Sequence, residues 1–366
     1  MRAEWYDFRA CGWQAAHGVR MRMMIMLEDV MQQGGKSLLV TTESGKLIRL
    51  DLGSRRFEVL FQHPDRESVF GVTHKDDQVF LSGATFLASG RLCGTQLQDI
   101  RIRSPFPPPL RGQARKLMRW FWTELGAHSR VIPYDKPGLH QMNLYGSSLY
   151  AAATTWNEVW VMDLDLNVQR RIPLQPHILD YFHLNNVFCD GRHYYVCLNR
   201  YAGRPGQGGY AKFDLDWNEL ERRALGWESH ALSVIDGRMF HLSCFSWRSQ
   251  AQTSHPRKAG LMMEETLVFP YDPSQYFCKD FSMDDEHIVI VGGTSTNREK
   301  RSSAAGVVFL LNRRFELLSY EVIPGLGGFN GCRFMGTDYS KGYSSLESDR
   351  TALLSETVEN RESLPA

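Results

Sequence analysis

The segment "HLNNVFCDGRHYYVCLNR", residues 183–200, decides the fold. It reads as a polar entrance, an apolar strand, an Asp-Gly turn and a second apolar strand. Asp-Gly supplies the backbone conformations that a tight hairpin needs. Upstream lies "GLHQMNLYGSSLYAAAT" (138–154) and downstream "ESHALSVIDGRMFHL" (228–242), with the same order of parts. In each, a histidine stands three residues before a second polar residue: His140 before Asn143, His183 before Asn186, His230 before Ser233.

A second kind of hairpin follows, with a turn rich in Asp, Asn or Gly. Its copies are "VWVMDLDLNVQRRIPL" (159–174) and "YAKFDLDWNELERRAL" (210–225), with relatives "LIRLDLGSRRFEVLF" (47–61) and "VVFLLNRRFELLSYEV" (307–322). A repeat of about 40–50 residues with four short strands marks a blade of a β-propeller. Six blades are predicted. Blade two starts near "SVFGVTHKDDQVFLSG" (68–83), blades three to five at the three histidines, and blade six at "YFCKDFSMDDEHIVIVGG" (276–293). Blade one has only its later strands, "KSLLVTT" and "KLIRLDL". Its inner strand is expected from "GGFNGCRFMG" (327–336), which would close the ring and leave no open edge. The ring spans 36–340.

Three segments fall outside this pattern. Residues 1–35 read as an N-terminal extension or cap. Residues 104–130 interrupt blades two and three; prolines exclude a central strand there, and "QARKLMRWFWTEL" has helical spacing. That helical insertion reads as a lid, as a helix packed outside the ring, or, through 113–126, as a contact for self-association, a partner or a membrane surface. The tail, 341–366, is polar and reads as flexible.

The chain has 366 residues and a formal charge of +1, so nothing in its balance calls for a polyanion such as nucleic acid. No apolar run reaches the roughly 18–20 residues of a membrane helix. The first residues lack the apolar core of a secretory signal. Seven cysteines, an odd number without CxxC spacing, fit reduced thiols, mostly buried, in a cytoplasmic protein.

The first strand of each propeller blade lines the central channel, so the three histidines should converge at one mouth. Three imidazoles suit a divalent metal ion (Mn, Zn, Fe or Ca), with Asn143, Asn186 and Ser233 orienting them. They equally suit metal-free acid–base chemistry or ligand binding, or simple packing of similar blades. The remaining entrances carry Lys279 and Asp280, Asn330, and Glu67 with Ser68. In the channel, Asp280 would act as a base or ligand and Lys279 as an electrostatic clamp. The long loops on the same face carry Arg200, Arg204, Arg248, Arg257, Arg298 and Arg301, with Lys258 and Lys300, and Arg suits capture of carboxylate or phosphate. "GRPGQGG" lacks the Lys and Ser/Thr of a phosphate loop. The chain also lacks a Gly-x-Ser-x-Gly elbow, an HExxH helix and a paired CxxC module.

On "HLNNVFCDGRHYYVCLNR", "SHALSVIDGRMFHLS" and the "DLDLN" and "DLDWN" hairpins, the chain from 37 to 336 resembles six-bladed propellers of the gluconolactonase, paraoxonase and strictosidine-synthase type. The resemblance implies a channel-centred site, often holding a metal through acidic and Asn side chains. Here His stands at the matching entrances instead. The leading expectation is a metal-dependent lyase, hydrolase or isomerase acting on a small anionic substrate, a sugar acid or carboxylated metabolite. The alternative is a non-catalytic propeller that binds a protein or glycan across the same face.

Overall fold

The computed structural model describes residues 36–104, 138–176, 178, 180–203, 206–244, 259–295 and 297–341. The expected extension at 1–35, the helical insertion from 105 onward and the tail from 342 lie outside the described residues.

The hairpin reading holds along the chain. Blade one contributes β1 (Ser37–Thr42), β2 (Lys46–Asp51) and β3 (Arg56–Gln62), and blade two β4 (Val69–Lys75), β5 (Gln78–Gly83), β6 (Leu87–Cys93) and β7 (Gln96–Arg103). Blade three is β8 (Leu139–Tyr145), β9 (Ser148–Ala153), β10 (Glu158–Met162) and β11 (Val168–Pro173). Blade four is β12 (Leu184–Cys189), β13 (Tyr194–Leu198), β14 (Gly208–Phe213) and β15 (Glu219–Leu225). Blade five is β16 (His230–Ile235), β17 (Arg238–Ser243), β18 (Gly260–Met263) and β19 (Thr266–Pro270). Blade six is β20 (Phe277–Met283), β21 (His287–Gly293), β22 (Gly306–Asn312) and β23 (Leu317–Ile323), followed by β24 (Phe329–Phe334).

These strands form six antiparallel four-stranded sheets. The ring closes as the sequence predicts: β24 pairs with β1, Leu38 opposite Phe334 and Val40 opposite Cys332, and becomes the inner strand of blade one. The inner strands touch in the order β24, β4, β8, β12, β16, β20 and back to β24, so the fold is an all-β, six-bladed propeller.

The outer turns show why their sequences recur. Asp163 Oδ1 accepts the N–H groups of Asp165 and Asn167 at 3.0 and 2.8 Å; Asp214 does the same for Asp216 and Asn218. Asn312 repeats the arrangement with Arg314 and Glu316. The fourth residues of these turns, Leu166, Trp217 and Phe315, have φ of 64, 71 and 63°, a left-handed conformation that the Asx side chain holds in place.

The core lies between blades. Phe329, Val291, Leu310 and Ile48 join blades six and one; Phe182, Val196 and Ile172 join three and four. Each fully buried Leu, Ile or Phe contributes roughly 1.5–3 kcal/mol. A row of polar stitches runs around the ring. The second strand of one blade, or the residue after it, donates to a backbone carbonyl at the start of the next inner strand. Thr41 Oγ1 reaches Phe70 O, Ser82 Oγ reaches His140 O, Thr154 Oγ1 reaches Leu184 O, Cys197 Sγ reaches Ser229 O and Cys244 Sγ reaches Cys278 O. Two of the cysteines thus serve as small buried donors, and burial pushes the Cys244 thiol up to about 12. Cys93 is exposed; Cys189, Cys197, Cys244, Cys278 and Cys332 are buried and unbridged.

Candidate functional site at the channel mouth

All six inner strands carry a β-bulge near their start, and the strand registers fix which residue bulges. Val69 faces Gly83 and Gly71 faces Ser82, which leaves Phe70 unpaired. The same count picks out Asn185, Ala231, Lys279 and Asn330. In β8, where Met142 pairs with Ala151 as Val72 pairs with Leu81, the equivalent residue is His140. A bulge re-aims its side chain. Here six of them make one collar: Phe70, His140, Asn185, Ala231, Lys279 and Asn330.

This register corrects the apparent equivalence of the three histidines. His140 is in the collar, His230 sits one position earlier, and His183 precedes β12 altogether. Asn143 and Asn186 likewise occupy different levels. The Phe70 and His140 rings lie 4.8 Å apart, and the His140 and His183 rings meet edge to face at 5.5 Å. His183 has φ +49° and places Nδ1 2.6 Å from Asp180 Oδ1. Asp180 also accepts from Arg200 at 2.9 Å. Burial works to raise the Asp180 carboxyl, but His183 and Arg200 outweigh it and hold it below its ordinary value.

His230 is buried, its Nδ1 3.0 Å from Glu228 O and 3.4 Å from Asn199 Nδ2. Burial, then the positive charges of Lys279 and Arg301, push its imidazole down to about 3. Among the described residues, no three His, Cys, Asp or Glu side chains are grouped so as to hold a metal ion.

The opposite side of the mouth is cationic. Lys279 Nζ donates to Glu43 Oε1 and, at 2.6 Å, to Asn330 Oδ1. Arg301 lies 4.1 Å over the Phe277 ring. Burial favours a protonated Glu43, but Lys279 and Arg301 keep its carboxyl below the ordinary range. Glu43 and Asp180 carried no signal in the sequence because loops between strands bring them in, whereas Arg301 was already among the rim arginines. Arg204 and Arg248 lie outside the described residues, and Arg298 begins a short 3₁₀ turn, Arg298–Lys300.

Gln141 Nε2 reaches across the axis to Lys279 O at 3.0 Å. Asp280 points at blade one rather than at the mouth: its Oδ2 accepts Arg333 Nη1 at 2.9 Å and the Cys332 N–H at 3.0 Å. Burial still pushes the Asp280 carboxyl up despite both donors. Arg333 Nη2 donates to Asn143 Oδ1 at 2.6 Å, and Asn143 Nδ2 to Val187 O. At the far end stands Tyr339, from the 3₁₀ turn Tyr339–Lys341. Its hydroxyl accepts the Phe334 N–H and pairs with Ser282 Oγ, both at 2.8 Å. The predicted catalytic residues therefore part company: Lys279 is at the mouth, Asp280 and Asn186 stand one step below it, and Asn143 lies deeper, bracing the channel with Arg333.

The sequence matches no protein-family model and no curated protein. Among solved structures the chain is similar to one in the crystal structure of a nidogen/laminin complex. Identity is 11%, the TM-score is 0.48, and the match covers 82% of this chain and 98% of that one. The fold assignment rests on the strand pairing and not on this likeness. No described helix is long and apolar enough to cross a membrane.

Proposed function

We propose that the collar binds a small anionic substrate and that His183 exchanges a proton with it. The observation that carries this reading is the Asp180–His183 pair. Asp180, held by Arg200, occupies Nδ1 and leaves Nε2 as the nitrogen for a ligand. The left-handed backbone at His183 is the kind of local cost that persists at functional sites. Lys279, bonded to Glu43, and Arg301, whose charge also acts on that carboxyl, offer an incoming carboxylate two cationic groups. His183 acts here as an acid–base group rather than as one of three metal ligands, since the three imidazoles start at different levels of the channel.

The second reading is a binding propeller without chemistry, favoured by His230, whose Nδ1 is tied to a backbone carbonyl. A panel of carboxylates, screened by thermal shift and turnover, separates the two. The acid–base reading expects ligands that stabilise the parent, weaken in Lys279→Met, and bind without turnover in His183→Gln. Turnover that survives His183→Gln would overturn it. So would one equivalent of metal in the parent that is lost when His140, His183 and His230 are all replaced.

A further inference from the structure

In the collar and one step beneath it, three amide oxygens are buried without a hydrogen-bond partner: Asn185 Oδ1 in the collar, and Gln141 Oε1 and Asn186 Oδ1 below. The residues are 5, 1 and 3% exposed. Their positions are related by the fold. Asn185 belongs to the collar, and Gln141 and Asn186 occupy the same register position on the neighbouring strands β8 and β12, one step deeper. Gln141 crosses the axis to reach Lys279 O, so its amide stands in the channel itself. On the other side at this depth, Asp280 is saturated by Arg333 and the Cys332 N–H.

A buried acceptor without a donor is costly, so each such group calls for an explanation, and a donor supplied by a ligand is one. Three acceptors ask for hydroxyl or amide N–H donors. They do not ask for a second carboxylate, which brings only more acceptors. An ammonium group would meet the Lys279 and Arg301 charges above and Arg333 below. We infer that the ligand is a polyhydroxylated carboxylate, with its acid group at Lys279 and Arg301 and its hydroxyls lowered onto Gln141, Asn185 and Asn186. This rests on the anion reading of the mouth. It assigns those three residues to specificity, not to proton transfer.

Calorimetric titration with two probes of matched shape tests it: glucuronate, and cyclohexanecarboxylate, which keeps the acid and the ring but has no hydroxyls. The parent should bind glucuronate at least about tenfold tighter, the ratio that one ordinary hydrogen bond gives. Asn186→Leu and Gln141→Met should each shrink that preference while leaving cyclohexanecarboxylate binding unchanged. Equal binding of both acids by the parent would overturn the hydroxyl assignment and leave the anion reading standing. Binding of neither would overturn the anion reading and this inference with it. The comparison within the parent needs no variant to fold.

Discussion

Arg333 and Asp280 meet at 2.9 Å inside the channel, on inner strands of blades one and six, with 4 and 2% of their side chains exposed. The pair closes the seam where the last strand joins the first blade. It also stands between the collar and the end held by Tyr339. Removing one partner would strand a buried charge. Arg333→Met alone should cost about 3–5 kcal/mol in urea unfolding, and Asp280→Leu added to it should recover most of that loss. If the double variant is no more stable than the single one, the ion pair is not the seam's main strut.

Close packing of inner strands sets a second expectation. A Cβ at Gly71 would stand 2.5 Å from both Met142 N and Ser82 Oγ. Gly71→Ala should therefore destabilise by about 1–3 kcal/mol. Gly53→Ala, where the nearest atom is 3.7 Å away, should be nearly neutral. Equal unfolding midpoints for the two variants would contradict the placement of β4 against β8.

Acidification should weaken the fold through histidines first. Burial pushes His230 down to about 3 and His241 down to about 4. In the unfolded chain both protonate near about 6.5. Above that value neither state binds the proton and stability is full. As pH falls below it, only the unfolded chain binds the proton, so stability drops. Each histidine accounts for on the order of 2–3 kcal/mol by about pH 4.5. The lowered carboxyls of Glu43 and Asp180 lose their contribution only below about pH 4, where the unfolded forms begin to protonate. His230→Gln should flatten the decline between pH 6.5 and 4.5 as followed by urea midpoints. An unchanged slope would show that His230 is not buried neutral.

Asn186 should be kept at the expense of stability. Its Oδ1 is buried and unpartnered, so Asn186→Leu is expected to raise stability by up to about 1–3 kcal/mol in the ligand-free protein. A large loss instead would mean that the amide has a structural task.

The sequence carried the ring and its closure because both rest on short-range signals. Asp-Gly and Asx turns mark hairpins, apolar runs mark strands, and a missing inner strand at one end matches a spare strand at the other. The site was legible only in part. Lys279, His140 and Asn330, picked out at strand entrances, all stand at bulge positions of the inner strands. One extra residue in each inner strand shifts every side chain after it, and spacing in the sequence cannot reveal which residue bulges. Hence His140 and His183 looked equivalent although they stand on different levels. Asp280 looked available because its partner, Arg333, lies 53 residues away in the chain. The aromatic, basic stretch at 113–126 falls outside the described residues and has no assigned place in the ring.

The proposed anion site lies at the collar beside His140 and His183. Its most direct test is a titration with glucuronate read through the imidazole Cε1–H resonances, assigned with single His→Gln variants. The His140 and His183 signals should move together and saturate. Those of His74, beside Tyr339, and His193, in the turn between β12 and β13, should stay fixed as internal controls at the other end of the channel. Movement confined to His74 or His193, or no movement at His140 and His183 with either acid, would contradict the account.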